Sequence, residues 1–204
     1  MGLMSASVSL SRFRVEGTLE PPVLETVEKG LKAHAISEFG DESVEKAVGW
    51  TSFHTPYRAD FEDHGFVVGP HAVFSLRIDK KSVPAKVFQK SVAEASARRL
   101  AQSGRAYLSK SEKKMIRDEV SQQLIVRMPA TPNVYDLVWN IEGKVLWFFS
   151  TLKSANEELE SMFARSFQLT LIRLFPFTMA DLTAGLSDAE RDALTKLTPS
   201  KMTA

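Results

Sequence analysis

The sequence predicts an α+β fold: a body built on an antiparallel or mixed sheet, with a basic helical hairpin inserted into it. Three observations carry that expectation. Segments of strand character recur toward both ends of the chain and alternate with segments whose apolar residues fall at helical spacing. Midway, two helical stretches follow one another with only a short break, each opened by its own start signal. Positive charge concentrates in that same stretch. From Arg77 to Arg127 there are thirteen Lys and Arg against five Asp and Glu, or +8, while the remainder holds thirteen against twenty, or −7.

Taken in order, Val8 to Val15 alternates in part (Val8, Leu10, Phe13, Val15) and reads as a first strand ended by Gly17. Pro21-Pro22 opens a helix to about Ala35, with Val23, Val27, Leu31 and His34 on one face. Glu42 to Val48 reads as a second short helix, and Thr51 to Gly69, rich in His, Asp, Gly and Pro, as a loop. Phe66 to Ile78 resumes strand character around a Gly69-Pro70 break. Pro84 starts the first arm of the hairpin, which runs to Gln102 or Ser103 before Gly104. Ser109-Lys110-Ser111-Glu112 is a capping box that starts the second arm, ending near Val126 before Pro129 and Pro132. Val134–Ile141 and Lys144–Thr151 flank a Glu142-Gly143 turn. Ser154–Glu157 forms another capping box, before a helix that faces Leu159, Met162 and Phe163 inward. Gln168–Phe177 reads as a last strand, and Ser187–Glu190 caps a final helix carrying Ala193, Leu194 and Leu197. The expected division is residues 1–80 and 129–204 as two parts of the body, with 81–128 as the hairpin.

The 204 residues, 44% hydrophobic and 25% charged, suffice for a real core. No run reaches the ~20 apolar residues of a membrane helix, and the densest, Val145–Phe149, is strand-sized. Met1–Ser7 lacks the charged and apolar regions of a secretory signal, and Ala6 breaks the myristoylation pattern. The absence of cysteine excludes disulfides and thiolate metal sites. A cytoplasmic protein is expected.

Lys110, Lys113, Lys114 and Arg117 fall at i, i+3, i+4 and i+7, so one face of the second arm is a cationic stripe. Ile116, Val120 and Leu124 form a neighbouring apolar ridge suited to the first arm. Like charges this dense repel, and phosphates would relieve the repulsion with release of counterions. The candidate DNA-contacting set is Arg77, Lys80, Lys81, Lys86, Lys90, Arg98, Arg99, Arg105, Lys110, Lys113, Lys114, Arg117 and Arg127. A Lys-rich stripe suits phosphates rather than base edges, so binding without sequence preference is expected. The bland alternative is a solvated helix face.

Two other groups were candidates. His54, Asp60, Glu62, Asp63, His64 and His71 could in principle hold a divalent metal and cut phosphodiesters, but match no compact ligand motif, so a polar loop is the plainer reading. Phe53, Tyr57 and Phe61 recur every four residues and could stack on bases, although packing is commoner. Trp139, Trp147, Phe148 and Phe149 read as core. Neither a phosphate-binding loop, a dinucleotide fingerprint nor a nucleophile elbow is present.

Around the hairpin the chain resembles the recombination-associated RdgC family of bacteria. The similarity runs through Leu76–Pro84, Arg105, Lys110–Lys114 and Arg117–Val120. It continues upstream at Gly49-Trp50 with Pro56, and downstream at Val138–Gly143 and Ser154–Leu159, covering roughly residues 45–180. The resemblance implies a nucleoid-associated protein that binds double- and single-stranded DNA and restrains a RecA-type recombinase. It also implies a dimer closed into a ring with a positively charged lumen. Arg77, Lys81, Arg105, Lys110, Lys113, Arg117 and Arg127 occupy positions that are basic in the family or belong to its motifs. One departure is Pro129, which stands where members carry an aromatic that helps join the ring. The chain also ends soon after Phe177, as a shortened member would.

The functional expectation is a non-catalytic DNA-binding protein without cofactors, homodimeric and not membrane-bound. Its rivals are a module docking an acidic protein through the same hairpin, and a metal-dependent nuclease using His54, Asp60, Glu62 and His64.

Overall fold

The computed structural model describes residues 2–37, 45–62 and 65–197. The chain runs β1 (Ser11–Glu16), α1 (Val23–Ala33), β2 (Lys46–Ser52), β3 (Val67–Val68), β4 (His71–Lys80), α2 (Ala85–Ser103), α3 (Lys110–Arg127), β5 (Thr131–Asn140), β6 (Val145–Phe148), α4 (Lys153–Phe167), β7 (Thr170–Leu174), α5 (Pro176–Thr183) and α6 (Asp188–Thr195). The α+β class is as expected. Seven strands form one sheet in the order β2-β4-β5-β6-β1-β7, with β3 beside β4, and every strand pair is antiparallel.

Alternation along the strands sends every second side chain to the face covered by α1 and α4. Phe13, Trp50, Phe74, Leu76, Leu137, Trp139, Leu146 and Phe148 supply the sheet side of the core. Val27 and Leu31 of α1, and Leu159, Met162, Phe163 and Phe167 of α4, close it. Aromatic rings meet edge-on at its centre: Trp139 and Phe163 centroids lie 4.9 Å apart and Phe163 and Phe167 4.8 Å apart. Each such buried ring contributes on the order of 2–3 kcal/mol by removal from water.

Two glycines set how closely the layers approach. A side-chain carbon at Gly30 would stand 2.7 Å from the Phe167 ring, so α1 can lie against α4 only with glycine there. At Gly49 it would meet the backbone of Ile36 at 2.5 Å. There the chain leaving α1 bridges β2, with the Trp50 N–H donating to the His34 carbonyl and the Ile36 N–H donating to the Trp50 carbonyl, both at 2.9 Å.

The structure corrects several local readings. Of the expected helix over 42–48, residues 42–44 lie outside the described residues, while Lys46–Val48 belongs to β2, where pairing with β4 outweighs local preference. Thr51 and Ser52 extend that strand into the expected loop, and Val67–Val68 forms β3 at its far end. The turn after β5 spans four residues, held by Asn140 Oδ1 accepting from the Gly143 N–H at 2.7 Å and by Lys144 at φ 51°. Ser154 caps nothing: α4 starts at Lys153 with Leu152 as its N-cap, which places Ser154 inside the first turn. The last strand stops at Leu174 because Pro176 begins α5, with Thr178 Oγ1 accepting from the Phe175 N–H at 2.9 Å. Trp147 is not core. It projects to the opposite face from its buried neighbours Leu146 and Phe148 and is half-buried.

Candidate nucleic-acid interface

Pro84 is the N-cap of α2, and Gly104 at φ 64° ends it in the left-handed conformation that glycine adopts readily. At the start of α3, Ser109 Oγ accepts from the Glu112 N–H at 3.2 Å, and Glu112 Oε2 accepts from the Ser109 N–H at 2.9 Å. Arg105 reaches the same carboxylate at 2.8 Å. The Ser109 backbone N–H first, then its hydroxyl and the Arg105 guanidinium, hold the Glu112 carboxyl down to about 2.

α2 and α3 are antiparallel arms with an apolar seam of their own. Leu108, Ile116 and Val120 are buried there against Phe88, Val92, Ala95, Leu100 and Leu124, as the ridge predicted. No residue of α2 is itself fully buried, so the first arm is covered on one side only. Leu108 folds back from the connection into this seam, while its neighbour Tyr107 stands in solvent.

The structure places the thirteen candidate cations unevenly. Lys110, Lys113, Lys114 and Arg117 are exposed along one face of α3, and Lys86, Lys90, Arg98, Arg99, Arg105 and Arg127 are exposed on the remainder of the hairpin. Lys80 is exposed at the end of β4. Among the described residues no carboxylate lies within ion-pair distance of Lys110, Lys113 or Lys114, and Arg117 rests over the Phe88 ring at 5.6 Å. Lys90 reaches Glu94 at 3.8 Å. Two candidates point elsewhere. Arg77 grips Asp79 with two bonds, at 2.7 and 2.6 Å, and lies over Tyr57, while Lys81 is 7% exposed at the base of the hairpin.

The loop candidates do not converge. Asp63 and His64 lie outside the described residues. Among the described ones, no group of three or more His, Asp and Glu could share a metal ion. His54 packs edge-on beside Phe53, and His71 lies against Trp147 at the start of β4. Phe61 is core, whereas Tyr57 is 68% exposed. No described helix is long and apolar enough to cross a membrane.

The reading from the sequence passed over Arg12 and Arg14, whose period-two spacing around Phe13 puts both on the sheet face away from α1 and α4. That spacing was the available signal.

Fold and surface together define an α+β protein with a cationic helical hairpin carried on an antiparallel sheet. The model of the family described as "Putative exonuclease, RdgC" matches residues 9–188, and the chain belongs to the RdgC family. No curated protein matches it.

Proposed function

We propose that the chain binds double- and single-stranded DNA through backbone contacts made by the hairpin, without catalysis, and thereby limits access of a RecA-type recombinase. Its family membership fits a role in recombination. The observation that carries the reading is the row of Lys110, Lys113 and Lys114, exposed on a capped helix with no carboxylate within ion-pair distance among the described residues. An uncompensated row of this kind is stabilised by phosphates and their released counterions. Association as a nucleoid-bound homodimer belongs to the same proposal.

Fluorescence anisotropy with random-sequence duplex DNA at several salt concentrations tests it. If about six cations contact phosphates, log K falls with log[salt] at a slope near −5. A flat salt response, or no binding at low salt, refutes the reading. The family's description also raises a nuclease reading; it requires DNA cleavage with Mg²⁺ or Mn²⁺ that EDTA abolishes, and intact DNA is the expected result.

A further inference from the structure

We infer that the sheet face opposite α1 and α4 is a second DNA-contacting surface, one that takes unpaired bases on Trp147 and their phosphates on Arg12 and Arg14. The strand register builds it. Arg12 of β1 pairs directly with Trp147 of β6, and Trp147 pairs on its other side with Val138 of β5. The next row is His71, Asn140, Val145, Arg14 and Ile172, drawn from five adjacent strands. All of these side chains share one face by alternation, and the His71 and Trp147 rings lie 6.0 Å apart. A flat aromatic at the centre of a sheet, flanked by cations, is the arrangement on which successive bases stack while the backbone is held electrostatically.

Among the described residues the arginines beside Trp147 are free of ion pairs. Neither Arg12 nor Arg14 has a described carboxylate within ion-pair distance; the one polar contact of the Arg12 guanidinium among the described residues is the Met179 sulfur, 3.0 Å away. A thioether satisfies one guanidinium donor weakly and leaves the others for a ligand. Arg12, Arg14 and Lys144 line a cleft of about 420 Å³ between β1, the turn before β6 and α5, in which Glu142 is the only acid among the described residues. Of the other acids on this face, Asp136 accepts from Ser75 and from the Leu3 N–H, Asp79 is gripped by Arg77, and Glu16 stands exposed at the far end of β1, beyond Arg14. The open ground is therefore around Trp147, Arg12 and Arg14.

This surface is separate from the hairpin. The hairpin springs from the Lys80–Thr131 end of the β4–β5 pair, whereas His71 and Asn140 mark the other end. Nine residues of strand put roughly 30 Å between them. The inference rests on the reading that the partner is DNA, but it adds a site for unpaired bases on a different part of the molecule.

Intrinsic fluorescence reads it directly, because Trp50 and Trp139 are buried and Trp147 is the tryptophan a base can reach. Titration with oligothymidylate should quench the wild-type emission. Trp147→Ala should abolish the quench and weaken oligothymidylate binding about tenfold, the loss of roughly one stacked base. Arg12→Gln/Arg14→Gln should weaken the same binding several-fold with duplex affinity little changed, with circular dichroism verifying the fold of each variant. Unaltered oligothymidylate affinity in both variants overturns the inference. The hairpin variant Lys110→Gln/Lys113→Gln/Lys114→Gln/Arg117→Gln separates the two readings. A quench that persists in it while duplex binding collapses supports two surfaces, and loss of the quench in it assigns single strands to the hairpin and refutes the second surface.

Discussion

Arg77 and Asp79 face the same side of β4 and close a two-toothed ion pair, Nε to Oδ1 at 2.7 Å and Nη2 to Oδ2 at 2.6 Å. Their side chains are 17% and 5% exposed, so the pair is largely removed from water. Removing Asp79 deprives the largely buried Arg77 guanidinium of the carboxylate that takes two of its bonds, and losing one partner of such a pair costs far more than the intact pair contributes. Asp79→Asn is therefore expected to lower unfolding free energy by about 3 kcal/mol, measured as a shift of the urea midpoint at constant slope. Lys90→Gln removes an exposed pair 3.8 Å long and should change stability by less than about 0.5 kcal/mol. Equal effects from the two substitutions would contradict this account.

The start of α3 should be acid-sensitive. Glu112 titrates near 2 in the folded protein against an ordinary value of 4.5. A folded value below the unfolded one means that its contribution is complete above about 4.5 and is lost as pH falls toward 2. Hydrogen exchange at the amides of α3's first turn should accelerate across that window, and Glu112→Gln should flatten the response. Ser109→Ala removes the reciprocal cap and should destabilise the helix by about 1 kcal/mol at neutral pH.

Local signals explain what was legible. Pro84, Gly104 and the Ser109–Glu112 box are each sufficient to bound a helix, and the structure has α2 and α3 where they point. The alternation of Phe13 with Val15 and the Leu159–Met162–Phe163 face also carried through to the core. What failed was decided by distant partners. Lys46–Val48 has no local strand signature, and β4 recruits it through a ladder from Lys46–Lys80 to Ser52–Phe74. Ser154 satisfies a capping pattern in sequence, yet α4 begins one residue earlier. At the candidate interface, net charge gave the hairpin but could not separate Lys113, in solvent, from Lys81, buried beside Glu45, whose carbonyl accepts from the Lys81 N–H at 2.9 Å. Arg12 and Arg14 were invisible to a count of charge because they are only two.

The hairpin has its own small apolar seam, so it should loosen without the body. Ile116 and Val120 are buried in that seam rather than in the main core. Ile116→Ala is expected to cost about 2 kcal/mol, the low end for such a truncation, because the cluster is small. Exchange measured by mass spectrometry should rise over α2 and α3, while peptides spanning Trp50, Trp139 and Phe163 keep wild-type protection. Uniform acceleration across the chain would show one cooperative unit instead.

The cationic stripe makes the most specific electrostatic prediction. Each phosphate neutralised contributes about −0.9 to the slope of log K against log[salt], so a count of contacts can be read from substitutions. Lys110, Lys113 and Lys114 are exposed and form no ion pair among the described residues, and each should reduce the slope by close to that amount when changed to Gln. Arg117 is also exposed, but its guanidinium lies over Phe88 at 5.6 Å. Arg117→Gln should thus lose part of a cation–π contact, costing about 0.5–1 kcal/mol of stability, in addition to its phosphate contact. Lys81→Gln, at a buried position, should leave the slope unchanged. The quadruple Gln variant of the stripe is then expected to flatten the slope by roughly 3.6 and to weaken binding alike on duplexes of any sequence. Anisotropy titrations on two unrelated duplexes, at matched salt, check both parts; selective loss on one duplex would mean that bases, and not phosphates, are being read.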